Sequence, residues 1–116
     1  MGPGSEPMST LFHDQVDRLK ESHFLILYWC AQAEDVGRVY NQTNAFDDLK
    51  AAGITRTKQN AIAVVEALSS LCFLEVRAEG NRKNLYITEH GARALEALVR
   101  SRGFTPRTSI FLEAQS

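Results

Sequence analysis

Apolar and polar positions along the chain follow two different periods, and the switches between them mark the elements. Near the start, Phe12, Val16 and Leu19 recur at helical spacing, which predicts a helix from a Ser9 cap to about Lys20. Ser22 suits the N-cap of a second helix over 23–34, and the two stretches also read as one bent helix. The run 24–31, FLILYWCA, is apolar on nearly every side. A helix that is apolar all round must be covered all round. A small domain offers it one core face, so the remaining cover is expected from the preceding helix or from a second subunit.

Residues 35–44 are mostly polar and include Gly37, a loop pattern in which Val39 and Tyr40 form a short edge strand. A short helix over 45–52 follows, capped by Thr43 or Asn44, with Phe46 and Leu49 facing inward. Gly53 stands where a left-handed residue ends a helix. The clearest helix is 55–71, with Thr55 as its cap. Ala61, Val65, Leu68 and Cys72 fall on one face; Arg56, Gln59, Ala63, Glu66 and Ser70 fall on the other. The period then changes to two. Residues 74–77 alternate, 79–83 form a turn centred on Gly80-Asn81, and 85–87 return as a second strand. Thr88 caps a last helix over 89–101, with Ala92, Leu95, Leu98 and Val99 as its apolar stripe. The tail from Gly103 carries Pro106 and the apolar patch Ile110, Phe111 and Leu112.

A short helix joined through Gly53 to a longer one is the helix-turn-helix pattern, and a hairpin follows directly. The runs 67–77, ALSSLCFLEVR, and 80–91, GNRKNLYITEHG, resemble winged-helix regulators of the MarR and PadR type. These end the recognition helix with leucine, two polar residues, leucine-glycine and two aliphatics, and follow the wing with threonine-glutamate-x-glycine. The likeness spans about 23–102, and Cys72 stands where the family usually has glycine. It implies a mainly α fold with a small β-hairpin (α+β), a winged helix-turn-helix with an extra N-terminal helix. The domain is then 8–102, and 103–116 is a C-terminal extension available for dimer contact. Residues 1–7, MGPGSEP, read as an expression-tag remnant before a second start at Met8.

The function the resemblance implies is sequence-specific binding of double-stranded DNA by a homodimeric transcriptional regulator, a repressor rather than an activator. The dimer would use the N-terminal helix, residues 23–34 and the C-terminal segment, and would read two half-sites about one helical turn apart. In that geometry the start of the second helix reaches base edges, here with Thr55, Arg56, Thr57, Lys58, Gln59 and Asn60, while Ala63 is small enough for close approach. Arginine can bridge guanine O6 and N7, and glutamine or asparagine adenine N6 and N7. The free amides at the helix start, beside Thr55, Thr57 and Lys58, favour a phosphate. Asn81, Arg82 and Lys83 at the wing tip reach a minor groove or the backbone, and Arg93 adds a backbone contact. Each of these side chains, taken alone, also reads as an ordinary solvated face or turn. Glu66 on the same face repels phosphates and argues against insertion of the whole helix.

Composition narrows the picture. The 116 residues, 44% hydrophobic and 23% charged, fit one domain with one core. The net charge of −1 opposes nucleic-acid binding, but its distribution is uneven: 1–49 carry eight acids and three bases, 50–116 six acids and ten bases. No leader pattern is visible and the longest apolar run is far shorter than a membrane span, so a soluble cytoplasmic protein is expected, nucleoid-associated when on DNA. Cys30 and Cys72 read as small buried hydrophobes. His13, His23 and His90 lack metal-site spacing, and no nucleophile-base set or glycine-rich phosphate loop is present. An enzyme and a cofactor are therefore not expected. Asp47 and Asp48 read as a solvated surface pair, and Tyr28 and Trp29 as core rather than a ligand pocket. Two other functions stay open: a winged-helix protein-interaction module that never touches DNA, and a DNA-binding protein of plasmid partition or replication.

Overall fold

A computed structural model describes residues 7–113, with side chains from Leu11 onward. Of the expected tag remnant 1–7, residues 1–6 lie outside the described residues, as do 114–116. The order is α1 (Pro7–Asp17), α2 (Glu21–Asp35), β1 (Tyr40–Asn41), α3 (Gln42–Ala51), α4 (Lys58–Ser70), β2 (Leu74–Glu79), β3 (Arg82–Ile87), α5 (Glu89–Ser101) and α6 (Ile110–Glu113). This is a mixed α and β fold in which the helices pack with a small antiparallel sheet ordered β1-β3-β2.

The first helix and α2 are separate. Residues 18–20 break them, and α2 starts one residue before the expected Ser22 cap. Lys20 is the cap residue, and its amide donates to Nδ1 of His23 at 3.0 Å. Phe24, Leu25, Ile26, Leu27, Trp29, Cys30 and Ala33 are all fully buried within the one chain. The cover that the sequence assigned to α1 or a second subunit comes from the chain's own α5, β3 and α4, with which α2 packs, and from its C-terminal segment. The Trp29 indole Nε1 donates to the Arg107 carbonyl at 2.8 Å, and the Phe104 ring lies 5.5 Å from that of Phe24. The Phe111 ring meets the edge of Tyr40. Residues 103–113 are thus a clasp over α2 and α3, built into the fold.

Asp48 anchors that clasp. Rather than sharing a solvated surface with Asp47, it is 1% exposed. Its carboxylate accepts from the Tyr40 hydroxyl (2.5 Å), the Ser109 hydroxyl (2.5 Å) and the Ile110 amide (2.8 Å). A buried charge is tolerable only when hydrogen-bonded in this way, and the donors come from two distant parts of the chain. Burial and the adjoining carboxylate also push the Tyr40 phenol far above its ordinary range, so it stays a donor.

Other boundaries shift for local reasons. The third helix begins at Gln42, three residues early, because Asn41 rather than Thr43 or Asn44 caps it: the Asn41 side chain accepts from the Asn44 amide at 2.9 Å. The short edge strand is Tyr40–Asn41, with Tyr40 opposite Leu85, and Val39 is exposed. In α5 the buried stripe is Gly91, Ala94 and Leu98, rotated from the expected one, so that Ala92 and Val99 face out. Gly91 explains the rotation. A Cβ there would lie 1.9 Å from the Phe73 carbonyl oxygen, so the glycine lets the helix start press against the chain entering β2.

Candidate nucleic-acid interface

The third and fourth helices pack together and are joined by six residues. Gly53, at φ +75°, ends α3. Its amide donates to the Lys50 carbonyl and that of Ile54 to the Leu49 carbonyl, the paired bonds of a Schellman end. Thr55 does not cap α4. Its side chain is buried and donates to the Thr57 carbonyl, because the turn consumes residues 52–56 before the helix can begin. Thr57 is the cap, with Oγ1 accepting from the Asn60 amide at 3.2 Å. Thr55 is therefore removed from the set of contact residues, and Arg56 and Thr57 precede the helix.

The other expected contacts lie on the surface. Arg56, Thr57, Lys58, Gln59, Asn60 and Ala63 are all exposed, as are Glu66 and Ser70 further along. Ala61, Val65 and Leu68 face the core. The division of α4 into an aliphatic and a polar side is thus the one its periodicity predicts, and no other part of the described chain covers the polar side. At the far end Cys72 sits at φ +65°. It holds the left-handed position that closes α4: Cys72 and Phe73 amides donate to the Ser69 and Leu68 carbonyls. Glycine is the residue that adopts this conformation without strain. Cys72 is exposed, not the buried hydrophobe expected. Cys30 is buried, and desolvation followed by the Glu34 charge pushes its thiol well above the ordinary range.

The hairpin is longer than its alternation suggested. Its strands pair without a break from Leu74 opposite Ile87 to Glu79 opposite Arg82, closing on the two-residue turn Gly80-Asn81. Side chains alternate between faces, and this separates two residues that the sequence grouped together. Lys83, beside Val76 and Leu85, lies on the face toward α4. There it lines a groove with Gln42, Glu66, Ser69 and Ser70. Arg82 belongs to the outer face, with Glu75, Arg77, Glu79, Asn84 and Tyr86. That face is densely bonded: Arg77 pairs with Glu75 at 3.0 Å and stacks on Tyr86, and Glu79 accepts from Asn84 and Tyr86. These donors hold the Glu79 carboxyl below its usual range. Arg93 sits on α5, which packs on α1, α2 and β3, and faces Glu89 at 3.8 Å. It is not brought to the polar side of α4 by any contact described.

One pattern among the cations was not visible in the sequence. Arg38, Arg77, Arg93, Arg100, Arg102 and Arg107 each have a carboxylate, carbonyl or ring partner. Arg56, Lys58, Arg82 and Lys83 have no such partner among the described residues, and neither do Arg18 and Lys20, between α1 and α2. Tyr28, half-buried, lines an open groove of about 810 Å³ with Arg38, Pro106 and Leu112, whereas Trp29 is core. Among the described residues no group of side chains is arranged to hold a metal, and no helix is long and apolar enough to cross a membrane.

No protein-family model and no curated protein matches the chain. Among solved structures, the fold is similar to that of AF1382 from Archaeoglobus fulgidus. The TM-score is 0.57 at 15% identity, over 70% of this chain and 84% of that one. A likeness at that identity concerns the fold alone.

Proposed function

We propose that this chain is a winged-helix domain that binds duplex DNA, with α4 as the recognition helix and β2–β3 as the wing, and that it acts as a homodimeric transcriptional regulator. The observation that carries the reading is the placement of unpaired cations: four of the six, Arg56 and Lys58 at the start of α4 and Arg82 and Lys83 on the hairpin, lie on these two elements, the other two being Arg18 and Lys20 between α1 and α2. A cation without a protein partner gives up no ion pair when it meets a phosphate, and its release of counterions drives binding.

The exposed start of α4 supports base reading by Arg56, Gln59 and Asn60, with Ala63 permitting close approach. Glu66, two turns in, limits insertion to the N-terminal half of the helix. The carboxylates of Glu75 and Glu79 keep the outer face of the wing off the phosphates, which leaves its tip, Asn81 and Arg82, for backbone or minor-groove contact. Lys83, facing the groove beside α4, would meet a phosphate between helix and wing.

The test is an anisotropy titration with mixed-sequence duplexes at about 50 and about 200 mM salt. Binding should weaken steeply with salt, and Arg82→Ala should weaken all duplexes alike and reduce the salt slope by about 1. Arg56→Ala with Gln59→Ala should relax sequence preference. Absence of binding at the lower salt would overturn the reading in favour of a protein-interaction module.

A further inference from the structure

We infer that two copies of this chain join through their β2 strands, edge to edge and antiparallel about a two-fold axis at Val76, into one continuous six-stranded sheet. The inference rests on the dimeric state proposed above and is independent of DNA binding. It moves the interface away from residues 23–34, whose aliphatic side chains the monomer already buries, and from the C-terminal segment, which clasps its own chain and leaves Ile110 exposed.

The first observation is that one sheet edge is protected and the other is not. On the β1 side, the edge strand is two residues long, and beyond it the Ile87 amide of β3 is taken by the Glu34 carboxylate at 2.9 Å. On the β2 side there are six residues in unbroken register, with no bulge, no proline and no lysine. The inner face of that strand, Leu74, Val76 and Ala78, holds no charge. A short strand, a bulge, a proline and an inward charge, all devices that blunt an exposed edge, are therefore missing; the strand's charges, Glu75, Arg77 and Glu79, stand on its outer face alone. The second strand is touched by β3 on one side and by α4 beneath.

The second observation fixes the register. The Thr88 amide donates to the Phe73 carbonyl, so Phe73 and Thr88 form a hydrogen-bonded pair at the base of the hairpin. Antiparallel ladders alternate, and the hydrogen-bonded pairs within the hairpin are then Glu75/Tyr86, Arg77/Asn84 and Glu79/Arg82. The amides and carbonyls of Leu74, Val76 and Ala78 point out of the free edge, with no backbone partner among the described residues. Any partner strand must bond to these three residues. A two-fold axis at Val76 sets Leu74 against Ala78 of the second copy, Val76 against Val76 and Ala78 against Leu74, so all three are bonded in each chain. Between them Glu75 meets Arg77 of the second copy, twice, in the closer non-hydrogen-bonded positions. Moving the axis one residue in either direction sets Glu75 against Glu75 or Arg77 against Arg77, and leaves one of the outward residues unbonded. Opposite charges facing each other across strands stabilise, and like charges destabilise. The strand is complementary to itself in one register.

The test is sedimentation velocity of the full chain over a micromolar concentration series, with circular dichroism to confirm folding. Wild type should dimerise. Ala78→Pro removes an outward amide without touching the β2–β3 ladder and should abolish pairing. Glu75→Arg and Arg77→Glu each place like charges opposite one another and should each weaken dimerisation about tenfold. An equimolar mixture of those two variants restores both Glu–Arg pairs and should dimerise like wild type, which a merely misfolded variant cannot do. A wild type that stays monomeric overturns both the inference and the dimeric state. A dimer that Ala78→Pro and the charge variants leave unchanged overturns only this interface.

Discussion

Replacing Asp48 by alanine should be among the most damaging single changes outside the aliphatic core. The substitution leaves four donors without their acceptor: the Tyr40 hydroxyl, the Ser109 hydroxyl, the Ile110 amide and, at 3.4 Å, the Phe111 amide. Stranding a buried donor costs about 1–3 kcal/mol. Tyr40 cannot reach water without opening the core, whereas Ser109, Ile110 and Phe111 can follow the clasp away from the body. The sum therefore falls short of four full penalties, at about 3–5 kcal/mol, a large share of the roughly 5–15 kcal/mol by which domains are stable. Release of the clasp would also break the bond from Trp29 to the Arg107 carbonyl. Trp29 is the one tryptophan of the chain, so urea denaturation followed by its emission reads both effects. The midpoint should fall, and the native emission should shift to the red as water reaches the indole. Asp48→Asn, which keeps an acceptor oxygen, should lie between the two. A loss below about 1 kcal/mol with unchanged emission would refute the assignment of Asp48 as the anchor, because even one stranded buried donor costs that much.

Three further outcomes can be checked on the same footing. Cys72→Gly should stabilise the protein by about 1 kcal/mol in thermal or urea melts, since a non-glycine residue in the left-handed region carries about 1–2 kcal/mol of strain and glycine returns part of the gain as unfolded-state entropy. Gly91→Ala should destabilise by at least about 3 kcal/mol or prevent folding, because the added Cβ meets a backbone oxygen, which cannot swing aside as a side chain does. His23 is held below its ordinary pKa, first by burial and then by Lys20, and its unprotonated Nδ1 accepts the bond that starts α2. A lowered folded pKa gives stability that is present above the unfolded value of about 6.5 and is lost as pH falls through the folded one. The urea midpoint should therefore drop on acidification from neutral pH, and drop less in His23→Gln; equal drops in both would remove His23 as the cause.

What the sequence determined by itself was the local part of the molecule. The aliphatic and polar sides of α4 follow from the spacing of Ala61, Val65 and Leu68. The hairpin follows from alternation around Gly80-Asn81, and the end of α3 follows from a glycine at its left-handed position. Each depends on residues within a turn or two of one another, so periodicity and turn chemistry suffice. Choosing Thr57 over Thr55 as the cap was already beyond that reach, since two good capping residues stand two apart and only packing of the turn decides which is buried.

The tertiary structure decided which distant groups meet. Asp48 looks like its neighbour Asp47 until Ser109, sixty-one residues on, returns to donate to it, and the apolar girth of α2 looks like a subunit interface until residues 103–113 close over it. Which arginines are engaged and which are left free depends likewise on partners remote in the chain. So does the separation of Arg82 from Lys83, which needs the strand to begin before the alternation becomes visible. Hydrogen bonds and ion pairs are made between surfaces, and a linear pattern of residue types holds no record of which surfaces come together.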